Sequence, residues 1–295
     1  MNPAAATSGL AAPTLLSQYR SHAGWQQFYR HDSNVIGLPM RFSAYVPDSA
    51  AKNGRAPALF YLAGLTCSEE TFAIKAGAQR LASELGLILI APDTSPRGAG
   101  VPGEDGAWDF GTGAGFYLDA TQAPWAKHYR MHSYLVDELF ALVAAHLYVD
   151  ANRSGIFGHS MGGHGALVLA LRHPDKFKSV SAFAPIAAPT QCPWGHKAFT
   201  GYLGDDRDAW AAYDASALMR QARRPFPQGI LIDQGSADNF LAEQLYPEVF
   251  EQACRHAGQP LELRRHAGFD HGYYFISTFI DDHIRFHAQR LGACN

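Results

Sequence analysis

The sequence predicts an α/β protein with one domain and a mostly parallel sheet of about eight strands flanked by helices. Short apolar runs, "ALFYLAG", "GLILIAPD", "SGIFGH", "SVSAFAPI" and "GILIDQG", alternate with longer stretches of helical spacing such as "ETFAIKAGAQRLASELG", "SYLVDELFALVAAHL" and "AEQLYPEVFEQACRHAG". No internal repeat or low-complexity linker divides the chain. Its 295 residues, 47% hydrophobic and 17% charged, suffice to close one sizeable core.

Taken in order, residues 1–20, "MNPAAATSGLAAPTLLSQYR", have no basic residue before the apolar stretch and no unbroken apolar core. They read as a disordered extension rather than a secretory signal, leaving 21–295 as the folded domain. "QQFYRHDSNV" and "MRFSAYVP", joined through Gly37 and Pro39, form an antiparallel pair at the sheet edge. The apolar runs quoted above then supply the parallel strands, "LELRRHAG" the last strand, and "YYFISTFIDDHIRFHAQRL" a closing helix. Two irregular insertions stand out: residues 101–130, rich in Gly and aromatics, and "APTQCPWGHKAFTGYLGDD" at 188–206. Loops beyond the carboxyl ends of parallel strands wall the ligand crevice of such a sheet.

Composition excludes several roles. A formal net charge of −3 with no long Lys/Arg run offers no footprint for nucleic acid or an anionic membrane. No stretch approaches the roughly 20 apolar residues of a membrane span. Cys67, Cys192, Cys254 and Cys294 lie far apart with no C-x-x-C pair, which argues against a disulfide framework or zinc knuckle and for a reducing cytoplasmic setting.

The chemistry concentrates in "GHSMGGHGAL". It contains G-x-S-x-G as Gly158, His159, Ser160, Met161 and Gly162, between a buried strand and a helix that ends at Pro174. The pentapeptide alone is weak, arising by chance with a probability of about 0.1 to 0.2 in such a chain; its strand–helix context is the stronger sign. An abrupt strand-to-helix corner forces its central residue into a sparsely populated conformation, and glycines two positions away remove the resulting collisions. The corner presents the Ser160 hydroxyl at the positive end of a helix. A structural turn or a phosphate nest fits less well, since G-x-G-x-x-G and Gly-Lys-Ser/Thr order are both missing. His159 and His164 read as packing or pocket residues.

A serine nucleophile needs a base, and the base an orienting acid. On this architecture the acid and then the histidine follow the serine. Of the 14 histidines, His173 sits at a helix end, His256, His283 and His287 on helical stretches, and His266 in the last strand. His271 occupies a Gly-flanked loop between the last strand and the last helix, and is the candidate base. Asp233 falls inside its strand, whereas Asp238 lies just past its end and is the candidate acid; Asp270 reads as a loop carboxylate. The backbone N–H groups of Met161 and Leu65 are the candidate oxyanion donors. Cys67, beside Leu65, reads as a small buried hydrophobe more readily than as a reactive thiol.

These segments resemble the S-formylglutathione hydrolase (esterase D) family of the α/β-hydrolase superfamily. "FYLAGLTCSEETF", "APDTSPRG", "GEDGAWDFGTGAGFYLDAT", "GHSMGGHGAL", "CPWGHKAFTGYLG", "QGSADNFL" and "DHGYYFISTFIDDHIRFHA" look like that family's blocks, in the same order. The resemblance covers nearly all of the chain after the first twenty or so residues. It implies an α/β-hydrolase fold, a Ser160–His271–Asp238 triad, oxyanion donors at Leu65 and Met161, and hydrolysis of S-formylglutathione to glutathione and formate. It also implies side activity on short-chain esters, no metal or organic cofactor, and a homodimer. Trp108, Phe110 and Trp194, with Cys67 and His159, are the candidate lining of a small acyl pocket. A short-chain carboxylesterase, an acyltransferase on the same scaffold, and a catalytically silent binding module are the rival readings.

Overall fold

The computed structural model describes residues 10–222 and 225–293. Among the described residues nine strands form one mixed sheet: β1 Thr14–Ser21, β2 Gly24–Asp32, β3 Pro39–Pro47, β4 Ala56–Leu62, β5 Ile88–Pro92, β6 Val149–His159, β7 Phe177–Phe183, β8 Ile230–Gly235 and β9 Leu261–His266. Their spatial order is β1-β2-β3-β5-β4-β6-β7-β8-β9. The first three strands and the β3–β5 pairing are antiparallel, and β5 through β9 run parallel. Every residue of β4, β5 and β8 is buried, as strands covered on both faces require.

The count is nine rather than eight because residues 14–20, expected to be disordered, belong to β1. This strand shows only weak apolar alternation, and most of its side chains are exposed. Its order comes from backbone pairing with β2 across a turn at His22, whose φ is 51°. Residues 1–9 of the expected extension, and Cys294, lie outside the described residues.

The helices differ in detail from their sequence pattern. The stretch at 70–86 is two helices, α1 Glu69–Lys75 and α2 Gln79–Leu85, separated at Gly77, where φ is 71°. The helix at 131–146 is wound as a π-helix over Tyr134–Leu139. Helix α3 spans Met161–Arg172, α4 Pro193–Leu203, α5 Pro247–Ala257 and α6 Tyr273–Leu291. Helix α4 lies inside the insertion expected to be irregular. It starts at Pro193, whose missing N–H costs nothing at a first helical position, and the Cys192 sulfur accepts from Gly195 N–H.

A buried polar seam joins α6 to the sheet. Arg264 grips Asp233 through two hydrogen bonds of 2.6 Å each, and His283 Nε2 donates to the same carboxylate at 3.2 Å. His283 Nδ1 meets Ser181 Oγ at 2.8 Å, Ser181 Oγ meets His287 Nε2 at 2.8 Å, and His287 Nδ1 meets Ser179 Oγ at 2.6 Å. With both imidazoles neutral, each nitrogen and hydroxyl in the chain has one donor facing one acceptor. Burial favours that state. It lowers His283 in spite of Asp233 and carries His287 well below the usual histidine range. It also lowers His164 to about 4 and His132 to about 3. For Asp233, burial raises the pKa, but the His283 and Arg264 hydrogen bonds outweigh it and the net shift is downward.

A group whose folded pKa lies below its unfolded value binds its proton first in the unfolded chain. Each neutral buried histidine therefore contributes stability that is present above an unfolded pKa of about 6.5 and lost as pH falls, at roughly 1 kcal/mol per pH unit. Asp233 adds a loss that begins only near pH 4, about its unfolded value. Urea midpoints measured from pH 7.5 to 5 should fall progressively; a flat profile would show that these histidines carry protons in the native state.

Candidate active site

Strand β6 ends at His159 and α3 begins at Met161, so Ser160 alone makes the corner, with φ 58° and ψ −119°. A left-handed φ at a non-glycine residue costs about 1–3 kcal/mol. The turn closes because its neighbours have no Cβ. A Cβ on Gly162 would stand 1.9 Å from the Leu62 carbonyl oxygen, and one on Gly158 2.3 Å from that of Gly162. Three backbone bonds secure the corner: Ser160 N–H donates to Phe183 O at 3.0 Å, and Ser160 O accepts from His164 N–H at 3.0 Å and Ile186 N–H at 3.2 Å.

Asp238 lies in the turn after β8 and His271 in the loop between β9 and α6, where the sequence analysis put them. His271 Nδ1 donates to Asp238 Oδ2 at 2.5 Å, so Nε2 is the nitrogen left for chemistry. The carboxylate is itself held: Oδ2 accepts from Gln234 Nε2 at 3.2 Å and Oδ1 from Phe240 N–H at 2.8 Å. The imidazole lies between two rings, His159 at 4.4 Å and Phe240 at 5.0 Å between centroids. Among the described residues no hydrogen bond joins Ser160 Oγ to His271. Such bonds often tighten only when substrate is present.

Asp233 and Asp270 have other occupations. Asp233 is saturated by Arg264 and His283 in the seam under α6, and Asp270 Oδ1 accepts from Gly272 N–H at 2.9 Å within the His271 loop.

On the same carboxyl rim, past the end of β4, Gly64 to Cys67 form a turn closed by Cys67 N–H on Gly64 O at 3.3 Å. Thr66, at φ 68°, donates its N–H to Gly113 O at 2.9 Å. Among the described residues the Leu65 N–H makes no backbone hydrogen bond, and Met161 N–H, at the first position of α3, has no intrahelical acceptor. Gly64 brings this turn against the corner: a Cβ there would meet Ser160 Cβ at 3.2 Å.

The other pocket candidates divide. Trp194 sits edge-on to Trp108 at 5.6 Å and 4.8 Å from Phe240, making an aromatic wall that runs from exposed Trp108 to the imidazole. His159 contacts His271 directly. Its burial, and secondarily the neighbouring imidazole, push its pKa well below the usual range, so it is a neutral ring. Among the described residues no ring contact joins Phe110 to His271. Phe110 stacks on Tyr202 at 4.5 Å and meets Trp125 at 4.7 Å in a cluster that packs the 101–130 insertion. Cys67 has its thiol pKa raised by burial, which opposes a reactive thiolate.

Sequence reasoning missed Phe240, although its place two residues after the candidate acid was a usable signal. It also missed Tyr117, whose hydroxyl donates to Ala63 O at 2.8 Å and whose ring covers Gly165. Among the described residues no group of three His, Cys, Asp or Glu side chains is placed to hold a metal ion, and no helix is long and apolar enough to cross a membrane.

Residues 33–286 match the Esterase family model, described as "Putative esterase". The mouse (Mus musculus) S-formylglutathione hydrolase is 53% identical over 279 residues, covering 94% of this chain and 98% of its own. The solved S-formylglutathione hydrolase of Agrobacterium tumefaciens superposes with a TM-score of 0.91 at 50% identity, over 94% of this chain and 99% of that one. A fluorophosphonate-binding serine hydrolase of Staphylococcus aureus, with a TM-score of 0.72 at 19% identity, covers 90% of this chain and 98% of its own and shares the fold alone. With its corner serine, its loop histidine and near-complete alignment to these relatives, the chain belongs to the S-formylglutathione hydrolase family of esterases.

Proposed function

We propose that the protein hydrolyses S-formylglutathione to glutathione and formate through an acyl-enzyme, with Ser160 as nucleophile, His271 as base and Asp238 as orienting acid. The observation that carries this reading is the His271–Asp238 hydrogen bond, its imidazole packed on His159, the residue before a serine held at left-handed φ. Ser160 Oγ attacks the formyl carbon while His271 Nε2 takes the hydroxyl proton. The tetrahedral oxyanion forms against the N–H groups of Leu65 and Met161, each such donor being worth about 3–4 kcal/mol. Its collapse breaks the C–S bond, and His271 returns the proton to the leaving sulfur. Water then attacks the formyl-enzyme with His271 again as base, releasing formate and restoring Ser160.

Asp238 fixes the Nδ1–H tautomer and stabilises the imidazolium. Neutral His159 supports this role, since a cation 4.4 Å away would oppose charging of His271. The Trp194–Phe240 wall suits a small acyl group and short-chain esters. A cytoplasmic location and a homodimer belong to the same proposal; the free thiols of Cys67, Cys192 and Cys254 are compatible with a reducing compartment.

Ser160→Ala should lower kcat for S-formylglutathione by about 10³-fold or more with unchanged circular dichroism; retained turnover would remove the mechanism. Asp238→Asn should lower kcat by about 10²–10⁴-fold at nearly unchanged stability. Asp233→Asn should leave kcat within a few-fold but destabilise the fold by about 3 kcal/mol, because Arg264 and His283 lose a buried partner. Equal kinetic losses at the two aspartates would overturn the choice of acid.

A further inference from the structure

The turn that carries Leu65 is held from behind by a residue that no part of this mechanism uses. Thr66 at φ 68° is β-branched and strained, so the 64–67 turn keeps its shape only where its surroundings over-determine it. In front, Tyr117 holds Ala63 O and Gly113 O receives Thr66 N–H. Behind, the Cys67 carbonyl accepts two hydrogen bonds, from Thr94 Oγ1 at 2.6 Å and Arg97 Nη2 at 3.0 Å. Both donors are oriented by one carboxylate at the end of β5. Asp93 Oδ1 accepts from Thr94 N–H at 2.7 Å and Arg97 Nη2 at 2.8 Å, and Asp93 Oδ2 from Arg97 Nε at 2.9 Å. Asp93 is buried and anchored through its own N–H to Arg41 O in β3.

We propose that Arg97, oriented by Asp93, is a positioning residue for catalysis: it clamps the Cys67 carbonyl and so aims the Leu65 N–H at the developing oxyanion. A guanidinium serves where an ammonium does not, because its fork spans the carboxylate and still donates to the carbonyl. Arg97 also lines a solvent-connected cavity of about 580 Å³, with Arg30, Arg41, Ser68, Glu69 and Asp93 among its walls, so its removal opens a space that a free guanidinium ion can reach.

The inference rests on the reading of Leu65 N–H as an oxyanion donor, and it is tested on a neutral short-chain ester as well as on S-formylglutathione. In Arg97→Ala, kcat should fall about tenfold or more for both substrates with KM within twofold, since only transition-state contacts are lost. Affinity for a trifluoromethyl ketone should fall by the same factor, and millimolar guanidinium chloride should restore part of kcat. Arg97→Lys should behave like Arg97→Ala. Thr94→Val, which leaves the Arg97–Asp93 pair in place, should lower kcat alone, and its effect should be less than additive with Arg97→Ala. Unchanged kcat in Arg97→Ala, or a loss that guanidinium does not relieve while Thr94→Val is silent, would overturn the assignment. Wild-type enzyme that cleaves the ester but not S-formylglutathione would remove the substrate proposal and leave the Arg97 result standing.

Discussion

The architecture depends on the collision-free corner between β6 and α3. A left-handed serine between a strand and a helix is a local free-energy cost of about 1–3 kcal/mol, which the chain retains only because the surroundings leave no relaxed alternative. Gly158 and Gly162 let three backbone segments meet at distances no side chain would permit, and the carbonyl of Leu62 in β4 fills the space where a Gly162 Cβ would be. The same approach fixes where β4 ends and hence where the Leu65 turn must begin. Candidate nucleophile and candidate oxyanion donor are thus placed by one packing constraint rather than by two independent loops.

The end of strand β8 separates the partners of two nearby carboxylates. Asp233 belongs to the strand, and its side chain lies in the seam beneath α6, where Arg264 and His283 occupy its oxygens. Asp238, five positions on in sequence, has left the sheet, and its Oδ1 is taken by the Phe240 N–H while Oδ2 receives His271. Asp233 therefore stabilises the attachment of α6, and α6 in turn anchors the loop that carries His271. The first carboxylate is thus linked to the candidate site through the helix it secures.

Much of this was legible because it follows from chain order and period. Ser160, Asp238 and His271 stand out once the alternation of strands and helices fixes which loops share the carboxyl rim, and the alternation is strong in β4, β5 and β8. Strand β1 escaped notice because its partner is the backbone of β2, its side chains face solvent, and its turn uses His22 at positive φ rather than a glycine. For Phe110 the sequence is ambiguous, because an aromatic in an aperiodic insertion looks the same whether it lines a pocket or packs the loop; the structure adds its packing on Tyr202 and Trp125. Phe240 and Arg97 act through positions that short motifs do not encode, one by covering a ring, the other by holding a carbonyl.

The histidines connect fold and chemistry through a single physical cause. Burial keeps His159 uncharged against the candidate base, so that ring adds no cation to oppose formation of an imidazolium at His271, and the same burial keeps His283 and His287 uncharged in the seam beneath α6. Wet, protonated neighbours would destabilise that imidazolium, and the Asp238 carboxylate would have to offset them before it could favour the transition state. The interior that loses stability in acid is therefore the one that leaves the Asp238 charge undivided, and both properties come from removing imidazoles from water.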